Sequence, residues 1–421
     1  MTTYAAFIGL DWGDKAHAIA LQVQDSTSIE KSTLTHSAES LQEWIALLRQ
    51  RFEGRPVAIA LEAAHGPVIH ALMEAEFITL YPINPKTSAC YRRAFAPSGA
   101  KDDVPDADLL LNLLRQHRDK LTAWAPEDLH TRKLAGLVAA RRQAVDLRTQ
   151  LSNSLQTLLK SYYPQASELC GEDLFSPMAA KFLSKWPDLI RLKAARPDTL
   201  RRFYHAHTVR RADVIEKRLE RIASARALTT DDAVVTVGVM GCRMLVTQLS
   251  TLARSIKEYE HQIQRCFAEH PEADLFRHLP GAGKTFAPRL LVAFGTQRDR
   301  YPTPNNLLMF SGIAPVTERS GGRVWVHWRW SAPRFLRQSF HEWAGESIRH
   351  SSWARAFYSL QKSRGKRHHA IVRSLAFKWI RILWKCWIDR VPYNESQYLQ
   401  CLTRRNSPLL KLIYEKVASS S

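Results

Sequence analysis

"YAAFIGLDWGDKAHAIALQVQ", residues 4–24, decides the reading of the first third of the chain. An apolar run ends on Asp11, and after a Gly13 turn a second short strand, "HAIALQVQ", follows. "STLTH" (32–36) reads as a third strand. "SLQEWIALLRQRF" (40–52) has helical periodicity, with a capping box from Ser40 to Glu43. Next come a buried-looking strand ending on Glu62 in "PVAIALEAAHGP" (56–67), a short helix "VIHALMEAEF" and a strand "ITLYPINP". "DVPDADLLLNLLRQH" (103–117) opens a last helix with Pro105 in its first turn, where proline is tolerated. The order is three strands, helix, strand, helix, strand, helix, which predicts an α/β layered domain with a mixed sheet.

The 421 residues exceed one ordinary domain. "AWAPEDLH" (123–130) marks a boundary, so the first domain is expected over 1–122. Two long amphipathic runs (129–163 and 234–267) predict a helical linker and oligomerisation region over 123–270, as a hairpin or coiled coil. Residues 165–230 are helical by composition without an assignable role. A mostly α domain is expected over 271–421.

Charge is distributed unevenly. Residues 1–125 carry 12 Lys/Arg against 15 Asp/Glu, whereas residues 271–421 carry 25 against 9. With a formal net charge of +20 for the whole chain, this points to a polyanion, with nucleic acid first. A membrane surface is the weaker candidate, because the basic third shows no clean apolar face and no apolar stretch approaches spanning length. None of the six cysteines forms a C-x-x-C pair, which excludes a zinc ribbon or redox motif and suggests reduced thiols. With no secretory signal at the N-terminus, the expected location is the cytoplasm.

Four acids stand where acids are unexpected. Asp11 and Glu62 end strands, and Asp103 and Asp106 lie one turn apart at the start of a helix. Converging carboxylates would suit Mg²⁺ or Mn²⁺ and attack at phosphate. The dull alternatives are a turn cap at Asp11, a surface acid at Glu62, and a helix N-cap with a first-turn acid at Asp103 and Asp106. Asp102 is also spaced one turn from Asp106.

In the last third, "LPGAGKT" (279–285) is not a P-loop, since His278 stands where the Walker pattern needs glycine. It reads as a helix-hairpin-helix-like turn whose backbone N–H groups could face a phosphate. "SGGRVWVHWRW" (320–330) is a basic, aromatic ribbon behind a serine and two glycines. Eight of the twelve tryptophans fall after residue 320, most of them expected in the core. Nothing near Ser320 in sequence supplies a base.

The first domain resembles a RuvC-type ribonuclease-H fold. The whole chain is similar to the DEDD-type, Piv-like insertion-sequence transposases, understood as bridge-RNA-guided serine recombinases. "FIGLDWGDKAH", "ALEAAHGP", "AKDDVPDADLL", "LPGAGKT" and "FSGIAPVTERSGGRV" carry the resemblance, which is weak over 165–235. It implies that Asp11, Glu62, Asp103 and Asp106 are catalytic metal ligands and that Ser320 attacks the scissile phosphate, giving a phosphoserine link. It implies nucleic-acid contacts at Gly281, Gly283, Lys284, Arg323 and Arg329, with His327 as a proton shuttle. The implied partners are DNA (element ends and target), a structured guide RNA and further copies of the chain, as a dimer or tetramer at the nucleoid. Two other readings remain: a RuvC-like junction nuclease without a covalent intermediate, and a non-catalytic nucleic-acid-binding protein.

Overall fold

The structure is a computed structural model that describes residues 3–62, 66–95, 103–171, 173–207, 209, 211–410 and 413. The chain divides into two compact units, Met1–Pro126 and Glu127–Ser421.

The first unit follows the expected order of elements with one further helix after the fifth strand. β1 (Ala6–Asp11), β2 (Ala16–Val23) and β3 (Glu30–Thr35) precede α1 (Ala38–Arg51). Then come β4 (Val57–Leu61), α2 (Pro67–Leu72), β5 (Ile78–Pro82), α3 (Pro85–Phe95) and α4 (Asp103–His117). The sheet order is β3-β2-β1-β4-β5. β1 pairs antiparallel with β2 and parallel with β4, so the sheet is mixed. Hydrophobic side chains leave it on both faces. Ile8, Leu10, Ile59 and Leu61 pack with α1 and α2, while Phe7, Ala58, Ala60 and Tyr81 pack with α4. Period-two alternation in near-continuous apolar strands produces this two-sided burial.

Two local expectations are corrected. The N-cap of α1 is Ser37, which accepts from Ser40 N at 3.1 Å, so the expected box from Ser40 to Glu43 lies inside the helix. Ala38 and Glu39 favour helix and extend it back to the nearest serine able to cap it. The sequence pattern also gave no sign of α3, because "PKTSACYRRAF" is short and polar on average.

The second unit is helical apart from one hairpin. α5 (Leu129–Tyr162) and α11 (Asp232–Ala268) run antiparallel, since Arg141 meets Glu260, Leu158 meets Gly241 and Tyr162 meets Gly238. Glycine is required at Gly238, where a Cβ would lie 2.6 Å from the Tyr162 ring. Between the two long helices, α6 (Ala166–Leu169), α7 (Pro177–Lys185), α8 (Leu189–Lys193), α9 (Pro197–Ala206) and α10 (Ala212–Ser224) close over one end. They share a core there built on Leu155, Leu159, Phe182, Tyr204 and Leu245. The segment without an assigned role thus has its own hydrophobic cluster.

The other end of the hairpin joins the last third. There α12 (Ala273–Arg277), α13 (Gly283–Phe294) and α14 (Pro304–Phe310) lead into β6 (Val316–Ser320) and β7 (Arg323–His327). α15 (Arg334–His350), α16 (Ser352–Ser363), α17 (His368–Asp389) and α18 (Glu395–Arg404) follow. Leu134, Val138, Ile263 and Phe267 of the hairpin share one core with Trp343, Trp353, Trp379 and Trp387. Asp128 caps α5 through Thr131 N at 3.0 Å, and Thr131 also bonds the buried His270.

The expectation that no apolar stretch approaches spanning length is corrected by α11. Among the described residues it alone is long and apolar enough to cross a membrane by length and composition. In the structure Val239, Cys242, Val246 and Leu249 are buried in the shared core beside α5 and α7. All six cysteines are free.

Gly9 on β1 is the tightest approach in the first unit. A Cβ there would overlap the Ala107 carbonyl oxygen and lie 2.5 Å from Leu111 N of α4. Both neighbours are backbone and cannot swing away. Gly9→Ala is therefore expected to cost on the order of 3 kcal/mol, read by urea denaturation. Gly136→Ala, in the middle of α5 with open space around it, should instead stabilise by about 0.5–1 kcal/mol.

Candidate active site and nucleic-acid interface

Strand register decides how the carboxylates of the first unit are arranged. Phe7, Gly9 and Leu10 of β1 stand opposite Ala58, Ala60 and Leu61 of β4 in a parallel pair. Asp11 and Glu62 are the next residues along. Side chains alternate, so Asp11 shares the face of Phe7 and Gly9, and Glu62 shares the face of Ala58 and Ala60. That is the face covered by α4. The two acids thus leave neighbouring strand ends side by side, on strands about 4.8 Å apart.

α4 runs opposite to β1. Phe7 lies under Arg115, and Gly9 lies under Ala107 and Leu111. One step further along β1, at Asp11, the strand passes beneath the first turn of α4, which Asp103 begins and Asp106 continues. The Asp103 side chain, Lys101 and Asp102 lie outside what the structure describes, as does the choice between Asp102 and Asp103. Asp106 is buried, with 8% of its surface exposed.

α3 supplies two groups that sequence reading missed. The buried Ser88 donates its hydroxyl to Glu62 Oε1, and Arg92, one turn later, forms an ion pair with Asp106. Arg92 Nε is itself buried without a partner. Helical spacing of a serine and an arginine downstream of a strand-end glutamate was the available signal, but it is common in surface helices. On the opposite side of β1, Asp108 pairs with Lys31 at 2.5 Å and stays out of the cluster.

In the second unit, β6 and β7 form a two-residue hairpin. Ser320 pairs with Arg323 across Gly321 and Gly322, with Gly321 at φ +56°. A primed turn with positive φ at its first central residue explains Gly321. Ser320, Arg323, Glu318, Trp325 and His327 share one face. His327 is not beside the serine. It bonds Glu318 at 2.7 Å and lies four positions along β7 from Arg323, a span of about 13 Å. The bond to Glu318, with a second to the Trp328 carbonyl, raises the imidazole above its ordinary value. Among the described residues the Ser320 hydroxyl makes no hydrogen bond, and nothing on the ribbon acts as its base. The ribbon is unusually bare: Val324, Trp325, Val326 and Trp330 are each more than half exposed.

The "LPGAG" turn joins α12 to α13. Gly281, at φ +70°, lies against the Glu346 backbone and the His350 ring of α15, and the Pro280 carbonyl accepts from Trp343 Nε1 at 3.0 Å. Packing alone accounts for Gly281. Gly283 and Lys284 are exposed, and Gly283 has open space on its Cβ side.

Comparison with known proteins bears directly on these two sites. A model of the DEDD transposase domain of IS110-type elements, described as a transposase, matches residues 8–164. A second, described as the transposase IS116/IS110/IS902 family, matches residues 273–359. The chain belongs to the IS110/IS116 transposase family. Among its relatives is the mini-circle putative transposase for IS117 of Streptomyces coelicolor. It is 25% identical over 397 residues, covering 93% of this chain and 96% of the relative. An IS900 uncharacterized 42 kDa protein of Mycobacterium paratuberculosis is 23% identical over 92% of this chain and 97% of its own. The putative transposase y4uE of Sinorhizobium fredii is 28% identical over 49% of this chain and 58% of its own.

The first family match contains Asp11, Glu62, Asp103 and Asp106, and the second contains the "LPGAG" turn and Ser320. DEDD-type domains generally use divalent metals. Among the described residues no three His, Cys, Asp or Glu side chains stand close enough to hold one. The donors nevertheless suit Mg²⁺ or Mn²⁺, because carboxylates at adjacent strand ends are hard oxygen ligands. Arg92 occupies the Asp106 carboxylate, offsetting a charge that would otherwise be buried alone. Removing it with Arg92→Ala should destabilise the protein by about 2–4 kcal/mol in urea denaturation. The double variant Arg92→Ala/Asp106→Asn should recover at least half of that loss.

Proposed function

We propose that this protein is the DNA recombinase of a mobile element, excising and inserting it through a covalent phosphoserine intermediate. The observation that carries the reading is the coexistence in one family member of two features. Asp11 and Glu62 stand in register beneath the start of α4, and Ser320 stands on an exposed Gly-Gly hairpin.

The Ser320 Oγ attacks the phosphorus of a DNA phosphodiester. A P–O bond to Ser320 forms as the bond to one bridging oxygen breaks, and that oxygen leaves as an alcohol after taking a proton. The serine proton passes to a base outside the ribbon. Rejoining is the reverse, with a different DNA hydroxyl attacking the phosphoserine. Asp11, Glu62, Asp103 and Asp106 are the residues that would hold a divalent cation, which would offset charge on the phosphoryl and leaving oxygens. Gly283, Lys284, Arg323 and Arg329 contact phosphates, and Trp325 and Trp330 offer stacking faces for bases. A structured RNA from the element pairs with donor and target, so the protein reads backbone and shape rather than sequence. The active protein is a homo-oligomer in which one protomer's carboxylates serve another's Ser320.

The test is a trapping assay with purified protein, the element's flanking RNA, Mg²⁺ and labelled DNA spanning the element ends. Denaturing gels should show a protein–DNA adduct in wild type. It should fall by about 1000-fold or more in Ser320→Ala and in Asp11→Asn. Mixing the two variants should restore adduct if the site is shared between protomers. Cleavage without an adduct that survives Ser320→Ala would establish a RuvC-like nuclease instead. Nucleic-acid binding without cleavage of any substrate would leave a binding protein.

A further inference from the structure

At the foot of the ribbon, cations crowd without counter-charge. Helical spacing puts Arg337 and His341 on one edge of α15, and His369 and Arg373 on one edge of α17. α15 and α17 pack through Phe340, Trp343, Val372 and Leu375, which brings these edges together. Trp328 is half-buried between them. The Arg373 guanidinium carbon lies 3.6 Å from its ring centroid, and that of Arg337 lies at 5.1 Å. Arg337 also reaches the Arg329 carbonyl at 3.5 Å, and the His341 and His369 rings are 5.5 Å apart. Gly312, at φ +70°, fixes this corner. A Cβ there would overlap Ala332 and lie 3.5 Å from Arg337 Cδ.

Among the described residues, no carboxylate forms an ion pair with Arg329, Arg337 or Arg373. Glu342, the acid next to His341 on α15, is taken by Arg289 and Gln338. Arg373 Nε and Arg329 Nε are both buried without partners. Burial, and then the Arg337 charge, hold the Arg373 guanidinium below its ordinary value. Burial also lowers His341, and the charges of His369 and Arg373 add to that. Two guanidiniums over one indole gain cation–π energy but repel each other. Half-buried cations with buried Nε groups are normally paired, and orphaned Nε groups mark a missing acceptor. An acceptor that satisfies several guanidinium forks at once is a phosphoryl group.

We propose that Arg329, Arg337 and Arg373, around Trp328, form a seat for one phosphodiester of a nucleic-acid backbone at the foot of the Ser320 ribbon. That the phosphodiester belongs to nucleic acid rests on the functional reading above. The seat anchors the backbone several residues from Ser320 and positions it without touching the reacting atoms. DNA and RNA offer the same group.

The experiment measures equilibrium binding of the full-length protein to a labelled duplex DNA and, separately, to a labelled RNA hairpin, by anisotropy across a KCl series. The variants are Arg373→Gln, Arg337→Gln and the charge-matched control Arg349→Gln, at an exposed site near the end of α15. Loss of one phosphate contact should lower the slope of log K against log salt by about 0.9 for duplex DNA. Affinity at moderate salt should fall about 5–10-fold, since a charge-assisted hydrogen bond is lost. The control should change neither quantity. An effect confined to DNA or to RNA identifies the source, and an effect on both assigns the seat to each. Melting temperature is recorded in parallel. An unchanged slope for both nucleic acids in a folded variant would overturn the proposal and leave the cluster a packing device. If Arg373→Gln does not fold, Arg337→Gln decides. Binding slopes do not depend on cleavage, so loss of the covalent adduct with the slope effect intact would count against the chemistry and not against the seat.

Discussion

The backbone of α4 rests on β1 at Gly9, and the arrangement of the first unit depends on that contact. With no side chain between them, helix and strand come closer than any other residue would allow. Because they run in opposite directions, the start of the helix lies over the carboxyl end of the strand. Parallel pairing with β4 then sets Glu62 beside Asp11. A helix N-terminus favours negative charge, so the fold offers acids a place where the backbone itself lowers the cost of gathering them. The rest of that cost falls to α3, whose Ser88 and Arg92 hold Glu62 and Asp106.

The second unit solves a different problem, carrying a large excess of positive charge on a stable frame. It does so by burying tryptophan. Trp343, Trp353, Trp379 and Trp387 are fully enclosed, each indole N–H satisfied by Pro280, Tyr393, Ser347 and Gly295 respectively. A core of that size fixes three neighbouring helices firmly enough for arginines to stand at their edges without acidic partners. The ribbon is the exception. A two-stranded hairpin exposing valine and tryptophan on both faces gains little from its own packing. Its order must come from what it contacts.

Local pattern made the sheet legible: apolar runs ending on acids, with a helical stripe between them, were enough for the succession of strands and for the place of Asp11 and Glu62 at strand ends. What was not legible depends on long-range approach. α3 is short and polar on average, so nothing in the pattern marked the helix carrying Ser88 and Arg92. The start of α1 was placed three residues late because two serines compete for one cap. The resemblance implied a proton shuttle at His327, but the hairpin register sets it four pairs away from Ser320, bonded to Glu318. The tryptophans divided as composition suggested, with most in the core. Which ones stayed outside was decided by the hairpin, since Trp325 and Trp330 flank the turn strand and Trp328 alone is drawn under Arg373.

The two units differ in electrostatics: the last third of the chain carries the excess of Lys and Arg, whereas the first unit gathers acids at Asp11, Glu62 and Asp106. In the proposed reaction a phosphodiester would be attracted to the second unit and repelled by the carboxylates of the first, so placing it near Asp11 and Glu62 would require charge to be supplied there. Arg92 cannot supply it while it neutralises Asp106, and no other cation among the described residues pairs with Glu62. Ser320 faces the complementary lack, having cations nearby in Arg323 but no base. In that proposal each site lacks what the other class of residue provides, an acid centre short of positive charge and a serine short of a proton acceptor. The proposed phosphoryl transfer would then begin only when nucleic acid supplies the phosphate on which both kinds of group act. That condition would keep an exposed serine from attacking DNA outside an assembled complex.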